Sequence, residues 1–224
     1  MFLKEIIKKL VAISTLLMIC ISSRAQTVKA ENHQLWIECK LEGVISFDIF
    51  NTAVTGLHQI GNLGKKNIVS IIDYTRPSTD VRFFVIDIEH KKLMYKCLVA
   101  HGKNSGDIYA KSFSNDTESL KSSLGFFLTA ETYYGNHGYA LKLDGLEKNI
   151  NDNARMREIV IHGADYVSDE FNKKYGRLGK SWGCPALPIG ISKEIIDKIS
   201  GGSCLFIYGD DDYYKRNSVF LKRE

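Results

Sequence analysis

The chain has 224 residues, of which 44% are apolar and 25% are charged, and its formal net charge is +4. This composition is typical of one globular domain with at most a small appendage, and only 3 prolines exclude a collagen-like or low-complexity chain. The excess of 30 basic over 26 acidic residues is too small to indicate nucleic-acid binding. Five cysteines, an odd number, exclude a disulfide framework that pairs every thiol.

The N-terminus has the pattern of an export signal. Three lysines within the first nine residues precede an apolar run over residues 10–21, which ends in small residues at Ser23 and Ala25. The run is too short for a comfortable membrane span of about 20 residues. We therefore predict that residues 1–25 are a cleaved signal peptide and that the protein is secreted across the inner membrane, to the periplasm or the cell wall. An uncleaved anchor is the alternative reading.

Removal of residues 1–25 changes the charge and the cysteine count. The segment carries a net charge of +3, so the remaining chain has a net charge of +1 and keeps four cysteines. Most of the basic excess therefore belongs to the signal, and no integral membrane span remains after its removal.

Hydrophobic spacing over residues 41–60 predicts an amphipathic helix, within an N-terminal helical extension of residues 26–67 that packs on a domain of residues 68–224. A second helix is predicted over residues 191–199, with Ser192 as its N-cap. Residues 103–123 read as a polar, serine-rich loop. Strands are predicted over residues 68–73, 81–88, 93–100, 139–143, 158–162 and 203–208. Because short strands dominate, the predicted fold is mainly β, a sandwich or barrel-like domain with a few helices.

A histidine and a cysteine near the C-terminus form the candidate catalytic pair. His162 ends an apolar strand and precedes Gly163, and Cys184 follows 22 residues later in Ser181-Trp182-Gly183-Cys184. A thiol has a pKa of about 8.5, so it needs a nearby base to become a nucleophile at neutral pH. Gly183 leaves backbone amides near Cys184 uncovered, which suits stabilisation of an oxyanion. The alternative is a structural role for both residues, with Cys184 in a disulfide bond and His162 as a structural histidine.

Four longer strings resemble one known family. They are HGADYVS (162–168), GRLGKSWGCPALP (176–188), FSNDTESLKSSLGFF (113–127) and YYGNHGYALKLDGLEKNIND (133–152). Together with the His-Gly pair and Ser-x-Gly-Cys, they resemble the murein L,D-transpeptidase catalytic domain, a YkuD-type domain of bacterial cell-wall enzymes. The resemblance runs from about Ile68 to Ser218 and implies a mainly β catalytic domain that needs no cofactor and no metal.

The resemblance implies a role for each residue of the motif. Cys184 is the expected nucleophile and His162 its base, while Ser181 and Gly183 shape the cysteine turn. The implied substrates are peptidoglycan stem peptides, with a tetrapeptide as acyl donor and an amine as acceptor. The implied reaction is L,D-transpeptidation, in which a thioester on the cysteine replaces the bond to the terminal D-Ala.

The chain departs from the broad family at two places. Trp182 stands where many members have His, and Pro185-Ala186 follows the cysteine where many have Arg or Asn. Arg177 or Lys180 is the candidate replacement for recognition of a substrate carboxylate. Further candidate substrate-binding residues are Trp182, His137, Tyr133, Tyr134 and Gly163.

Several readings stay open from the sequence alone. The same residues would serve an L,D-carboxypeptidase that resolves the thioester with water, and a catalytically silent wall-binding domain is a third possibility. Cys97 and Cys204 lie in apolar strands and are expected to be buried, reduced thiols. Arg155 and Arg157 read as solvated residues, and His101, which precedes Gly102, is a weaker loop candidate.

Overall fold

The computed structural model describes residues 24, 26–136 and 138–223, and these form one mixed eight-stranded sheet with five α-helices and a final 3₁₀ turn. His137 and nearly all of the predicted signal peptide lie outside the described residues. The mainly β fold class predicted from the sequence is confirmed.

The sheet runs in the order β3-β2-β1-β8-β4-β5-β6-β7. Strands β1 and β8 pair in parallel, as do β6 and β7, and the remaining neighbours are antiparallel. The strands are β1 Ile68–Asp73, β2 Phe83–Asp87, β3 Lys92–Cys97, β4 Gly125–Gly135, β5 Gly138–Gly145, β6 Val160–Ala164, β7 Ala186–Pro188 and β8 Cys204–Tyr208.

The sheet nearly closes on itself beyond β3. The backbone N–H of Ala100, which follows β3, donates to the carbonyl of Ala186 in β7 at 2.9 Å. The segment after Ala100 then continues beside the cysteine turn, where Gly102 bridges Ser181. This closure brings together three stretches that are distant in sequence: residues 98–103, β6, and the turn that precedes β7.

The strands predicted from apolar runs are confirmed where the structure buries both of their faces. All six residues of β1 and all five of β2 are buried, as expected for runs of β-branched and aromatic side chains. β4 and β5 form a long hairpin with a register shift between Thr129 and Thr132. The sequence analysis missed β4, because its outer half lies at the surface and its inner half interrupts the alternation with Phe126-Phe127.

Five helices lie before, between and after the strands along the chain. α1 covers residues 26–38 and α2 covers Phe47–Gln59, where Ser46 caps the first turn through its hydroxyl. α3 Asp169–Tyr175, α4 Ile189–Ile199 and α5 Asp212–Asn217 follow. Val54 and Leu57 of α2 are buried in the same core as the central strands.

The prediction of Ser192 as an N-cap was wrong. α4 begins at Ile189 directly after Pro188, and the Ser192 hydroxyl lies inside the helix, where it donates to the carbonyl of Ile189 at 3.1 Å. The reason is that Pro188 both ends β7 and fixes a backbone conformation from which a helix can start.

Residues 103–123 contain no helix or strand, in agreement with the loop predicted from their serine content. No helix among the described residues is long and apolar enough to cross a bilayer.

Candidate active site

The turn that carries Cys184 is fixed by the hydroxyl of Ser181. The Ser181 Oγ donates to the carbonyl of Cys184 at 2.6 Å and accepts the N–H of Gly183 at 3.1 Å. Gly183 has a φ of 128°, and a Cβ atom added there would lie 2.8 Å from the carbonyl oxygen of Lys121. Any larger residue would therefore be strained and would clash, which explains the glycine at this position.

The serine loop, which we define as residues 112–123, also supports this turn through hydrogen bonds. Ser122 Oγ donates to the carbonyl of Gly183 at 3.1 Å and accepts the N–H of Gly102 at 3.0 Å. The N–H of Ser122 in turn donates to Ser105 Oγ at 2.9 Å. One buried hydroxyl therefore links the serine loop, the segment after β3 and the cysteine turn.

The thiol of Cys184 is held by the backbone of the strand opposite. The N–H of Val160 lies 3.4 Å from Sγ, and the thiol donates to the carbonyl of Glu158 at 3.5 Å. Glu158 has a φ of 54°, an uncommon conformation for a glutamate, and this conformation accompanies a carbonyl that faces the thiol.

His162 lies two residues beyond Val160 on β6 and is buried. Its partner on β7 is Ala186, two residues after Cys184, so the strand register brings the two candidate catalytic residues to adjoining positions. The Nδ1 atom of His162 lies 3.0 Å from the carbonyl oxygen of Gly163. Because a carbonyl can only accept, Nδ1 carries the proton and Nε2 is the basic nitrogen of the neutral ring.

Burial sets the resting state of the thiol. It raises the pKa of Cys184 above the usual value, while the Val160 N–H and the charge of Arg157 oppose that rise and the Glu158 carboxylate adds to it. A thiol in this state is neutral at pH 7, so reaction requires a base that takes its proton.

A cavity of about 560 Å³ opens onto the thiol. Cys184, Trp182 and Tyr133 lie in its wall, and the Trp182 side chain is 74% exposed at the rim. Basic side chains from β5 and from the segment before β6 complete one side of the wall: Lys142, Arg155 and Arg157. The cavity is large enough for a peptide segment and joins aromatic surface to positive charge.

Other predicted binding residues lie away from this cavity wall. Tyr134 is 77% exposed and packs against Tyr139 on the β4–β5 hairpin. Arg177 and Lys180 both form ion pairs with Asp107, at 3.2 and 2.6 Å. Neither Arg177 nor Lys180 lines the cavity at Cys184.

Gly163 contributes its carbonyl, which orients His162, and it also allows close helix packing. A Cβ atom added to Gly163 would lie 2.4 Å from Ser192 Oγ of α4. His137, a candidate from the sequence, falls outside the described residues.

Arg157 and Glu158 are site residues that the sequence analysis did not identify. The expectation that Arg157 is merely solvated was wrong, because it is half-buried in the cavity wall and bonded to the serine loop. The sequence contains no spacing signal for these contacts, since they depend on how residues 112–123 fold over the turn.

His101 is buried on the far side of the cysteine turn. Its Nδ1 lies 2.9 Å from Nη2 of Arg82, and its Nε2 lies 3.4 Å from the carbonyl of Gly106. Burial and the neighbouring Arg82 charge lower the pKa of His101 to about 4. The carbonyl of His101 accepts the N–H of Ser181 at 3.1 Å, so this residue supports the turn through its backbone.

The other cysteines are reduced. Cys39, Cys97, Cys184 and Cys204 are all free thiols, and all but Cys184 are buried, which confirms the expectation for Cys97 and Cys204. Within the described part of the chain, Asp87, Glu89 and His90 bring three potential metal-ligand atoms within 4.8 Å of one another. Two of these residues are exposed, and none of the three lines the cavity at Cys184.

An accessible thiol beside a strand that carries a histidine is an arrangement suited to cysteine-dependent acyl transfer. A family model described as the L,D-transpeptidase catalytic domain matches residues 41–208, three quarters of the chain. The chain therefore belongs to the L,D-transpeptidase catalytic domain family, in agreement with the resemblance seen in its motifs. The match includes α2, and the boundary at residue 67 between extension and domain stays a prediction.

The chain is also similar to several solved structures, at low sequence identity. An L,D-transpeptidase from Mycobacterium smegmatis is 13% identical with a TM-score of 0.40, over 64% of this chain and 59% of that one. L,D-transpeptidase 3 from Mycobacterium tuberculosis is 9% identical with a TM-score of 0.41, over 64% and 61%. A helical cell shape determining protein from Campylobacter jejuni is 16% identical with a TM-score of 0.41, over 72% and 57%. No curated protein sequence matches the chain significantly.

Proposed function

We propose that the protein is an exported cysteine acyltransferase that performs L,D-transpeptidation on peptidoglycan stem peptides. The observation that carries this proposal is the position of the Cys184 thiol, which lies on the cavity wall and is hydrogen-bonded to the strand that bears His162. Membership of the family supplies the substrate class. The predicted signal over residues 1–25 supplies the route to the periplasm or cell wall.

The proposed reaction has two acyl-transfer steps. His162 Nε2 takes the proton of Cys184, and the thiolate attacks the carbonyl on the L-centre of the third stem residue. A C–S bond forms, the C–N bond to the terminal D-Ala breaks, and the imidazolium returns its proton to the departing amine. An acceptor amine then attacks the thioester and gives a proton to His162, so that a C–N bond forms and the C–S bond breaks, and the departing thiolate of Cys184 takes that proton from the imidazolium.

The backbone of the turn suits the charge that develops in this reaction. The Gly183 N–H already donates to Ser181 Oγ, so we assign the oxyanion role to the amide of Cys184 itself. Trp182 and Tyr133 form aromatic walls on which the donor peptide or its sugar can pack. Both residues were predicted to bind substrate, and both line the cavity that contains the thiol.

The test is mass spectrometry of the purified protein after incubation with a disaccharide tetrapeptide, with and without an added amine. We expect an acyl adduct on Cys184 that lacks the terminal D-Ala, and a cross-linked product when the amine is present. A carbapenem should form a covalent adduct on the same residue. The Cys184→Ala variant is the control and should form neither adduct.

Each other outcome decides against part of the proposal. A hydrolysed tripeptide product even with amine in excess would make the protein an L,D-carboxypeptidase. Absence of any adduct and any product, or an adduct that persists in Cys184→Ala, would overturn the assignment of Cys184 and favour a wall-binding domain.

A further inference from the structure

Two arginines line the cavity at Cys184, and they differ in their partners. Arg155 forms ion pairs with both Glu131 and Asp144, at 2.8 and 2.5 Å. Arg157 forms none: among the described residues no carboxylate lies within 4 Å of its guanidinium, and Asp116 is only a more distant neighbour. The charge of Arg155 is therefore neutralised locally, whereas the charge of Arg157 is not.

Neutral oxygen atoms of the serine loop hold Arg157 in place. Nη1 donates to the carbonyl of Ser114 at 2.7 Å and to Ser123 Oγ at 2.5 Å. Nη2 donates to the carbonyl of Lys121 at 2.7 Å and to Ser119 Oγ at 3.1 Å. These four bonds satisfy the terminal nitrogens, so the guanidinium is fixed by the loop and has few donors left for a substrate carboxylate.

The fixed guanidinium lies against the cysteine turn. A Cβ atom added to Gly183 would be 3.5 Å from Nη2 of Arg157, and Arg157 and Cys184 share the same cavity wall. Both residues are half-buried, so solvent screens their interaction less than it would at the surface.

We propose that Arg157 is a positioning residue that presents an uncompensated positive charge to Cys184 and so favours its thiolate form. In this proposal the serine loop has a second role besides supporting the turn, because its oxygen atoms hold the Arg157 guanidinium in position. This inference rests on the proposed function, in which Cys184 is the nucleophile.

Other titratable groups near the thiol do not supply this charge, since Lys142 of the same cavity wall forms an ion pair with Glu131 at 3.0 Å. Tyr74 is buried and Tyr166 is half-buried, and burial raises the pKa of each to about 12, so both are neutral at physiological pH. Glu158 is exposed and its carboxylate opposes the thiolate. His162 acts in the proposed reaction as the acceptor of the thiol proton.

The test measures how fast iodoacetamide alkylates Cys184 between pH 5 and 10, with peptide mapping to exclude the buried cysteines. Alkylation requires the thiolate, which displaces iodide. We expect Arg157→Gln to be alkylated roughly tenfold more slowly than wild type at pH 7, with the midpoint of its profile displaced to higher pH. Arg157→Lys, which keeps the charge but loses most of the loop contacts, should recover a large part of the wild-type rate.

Arg155→Gln is the matched control, because it removes a neutralised arginine from the same cavity wall. Its profile should stay within about twofold of wild type. A profile for Arg157→Gln that matches Arg155→Gln overturns the inference, and so does a profile for Arg157→Lys that moves as far as Arg157→Gln. The second outcome would assign Arg157 a purely structural role.

A milder variant covers the case in which Arg157→Gln does not fold. Ser119→Ala removes one of the two acceptors of Nη2 from a half-buried position and should slow alkylation by roughly twofold. If its rate equals that of wild type, the loop does not place the charge and the inference fails. Normal acyl-adduct formation in wild type alongside such a result leaves the proposed function intact, whereas loss of the adduct in wild type contradicts the proposed function itself.

Discussion

Two His-Gly pairs flank the cysteine turn, and their imidazoles are held in opposite tautomers. Nδ1 of His162 faces the carbonyl of Gly163 and must donate, whereas Nδ1 of His101 faces the Arg82 guanidinium and must accept. The basic nitrogen of His101 is therefore already occupied by Arg82. The same dipeptide thus gives one ring whose basic nitrogen is Nε2 and one ring whose basic nitrogen is Nδ1, which accepts from Arg82.

In the proposed mechanism the partner of Nδ1 distinguishes the two histidines, because only His162 has Nε2 as its basic nitrogen. Arg82 is fully buried and donates to the carbonyl of Val99 through both Nε and Nη2, at 3.0 and 2.7 Å. It fixes the segment after β3, and with it His101, as a rigid support for Ser181. His101 therefore supports the turn through its backbone carbonyl, and we assign the proposed role of base to the ring of His162.

The strongest test of the different roles of His162 and His101 is to make the same substitution at both histidines. Asparagine can replace the Nδ1 interaction of either ring but has no equivalent of Nε2. We expect His162→Asn to reduce the rate of D-Ala release from a tetrapeptide about a thousandfold, the size of a lost general base. His101→Asn should stay within about tenfold of wild type, since its carbonyl still accepts the Ser181 N–H. A larger loss in His101→Asn than in His162→Asn would show that the base has been assigned to the wrong ring.

The sequence was sufficient for the parts of this site that are local. The buried strands β1, β2 and β8 follow from apolar runs, and the Cys184 turn is marked by its glycine and serine. Family membership follows from ordered motifs rather than from any single residue.

The tautomer of His101 and the charge beside Cys184 could not be predicted in this way. They depend on Arg82 and Arg157, which are 19 residues from His101 and 27 residues from Cys184 and show no periodic pattern. The short helices α3 and α5 were missed because, at seven and six residues, they carry almost no periodicity of their own. Tertiary contacts, chiefly the fold of the serine loop, determine these features.

The buried state of His101 predicts a stability change with pH that His101→Asn removes. The pKa of His101 is lowered to about 4 in the folded protein, against about 6.5 when unfolded, so the unfolded chain binds more protons between these values. Stability should therefore fall as the pH drops from 6.5 to 4, by about 3 kcal/mol from this residue alone.

Urea unfolding at pH 7 and pH 4.5 measures this difference. Carboxylates titrate in both proteins and cancel in the comparison, so the wild type should lose more stability than His101→Asn over this interval. Equal losses would mean that His101 is protonated in the folded state or is not buried as described.

Substitution of the glycine in each His-Gly pair is expected to have the smallest effect of these changes. A Cβ atom at Gly102 would lie 2.5 Å from the carbonyl oxygen of Leu120 and 3.0 Å from Cα of Gly183, so backbone would have to move. At Gly163 the closest atom is Ser192 Oγ, at 2.4 Å, which is the end of a side chain that can rotate. We expect Gly102→Ala to lower the free energy of unfolding by about 2–3 kcal/mol and Gly163→Ala by about 1 kcal/mol.

The two glycine variants should also differ in reactivity at Cys184. Displacement of backbone at Gly102 is transmitted directly to Gly183, so the rate of acyl-adduct formation should fall further in Gly102→Ala than its loss of stability explains. In Gly163→Ala the strain falls on α4, and the carbonyl that orients His162 is retained. Adduct rates measured at a temperature where both variants are fully folded separate these effects. Equal rates in the two variants would show that the segment after β3 does not position the cysteine turn. The two His-Gly pairs would then differ only in the roles of their histidines.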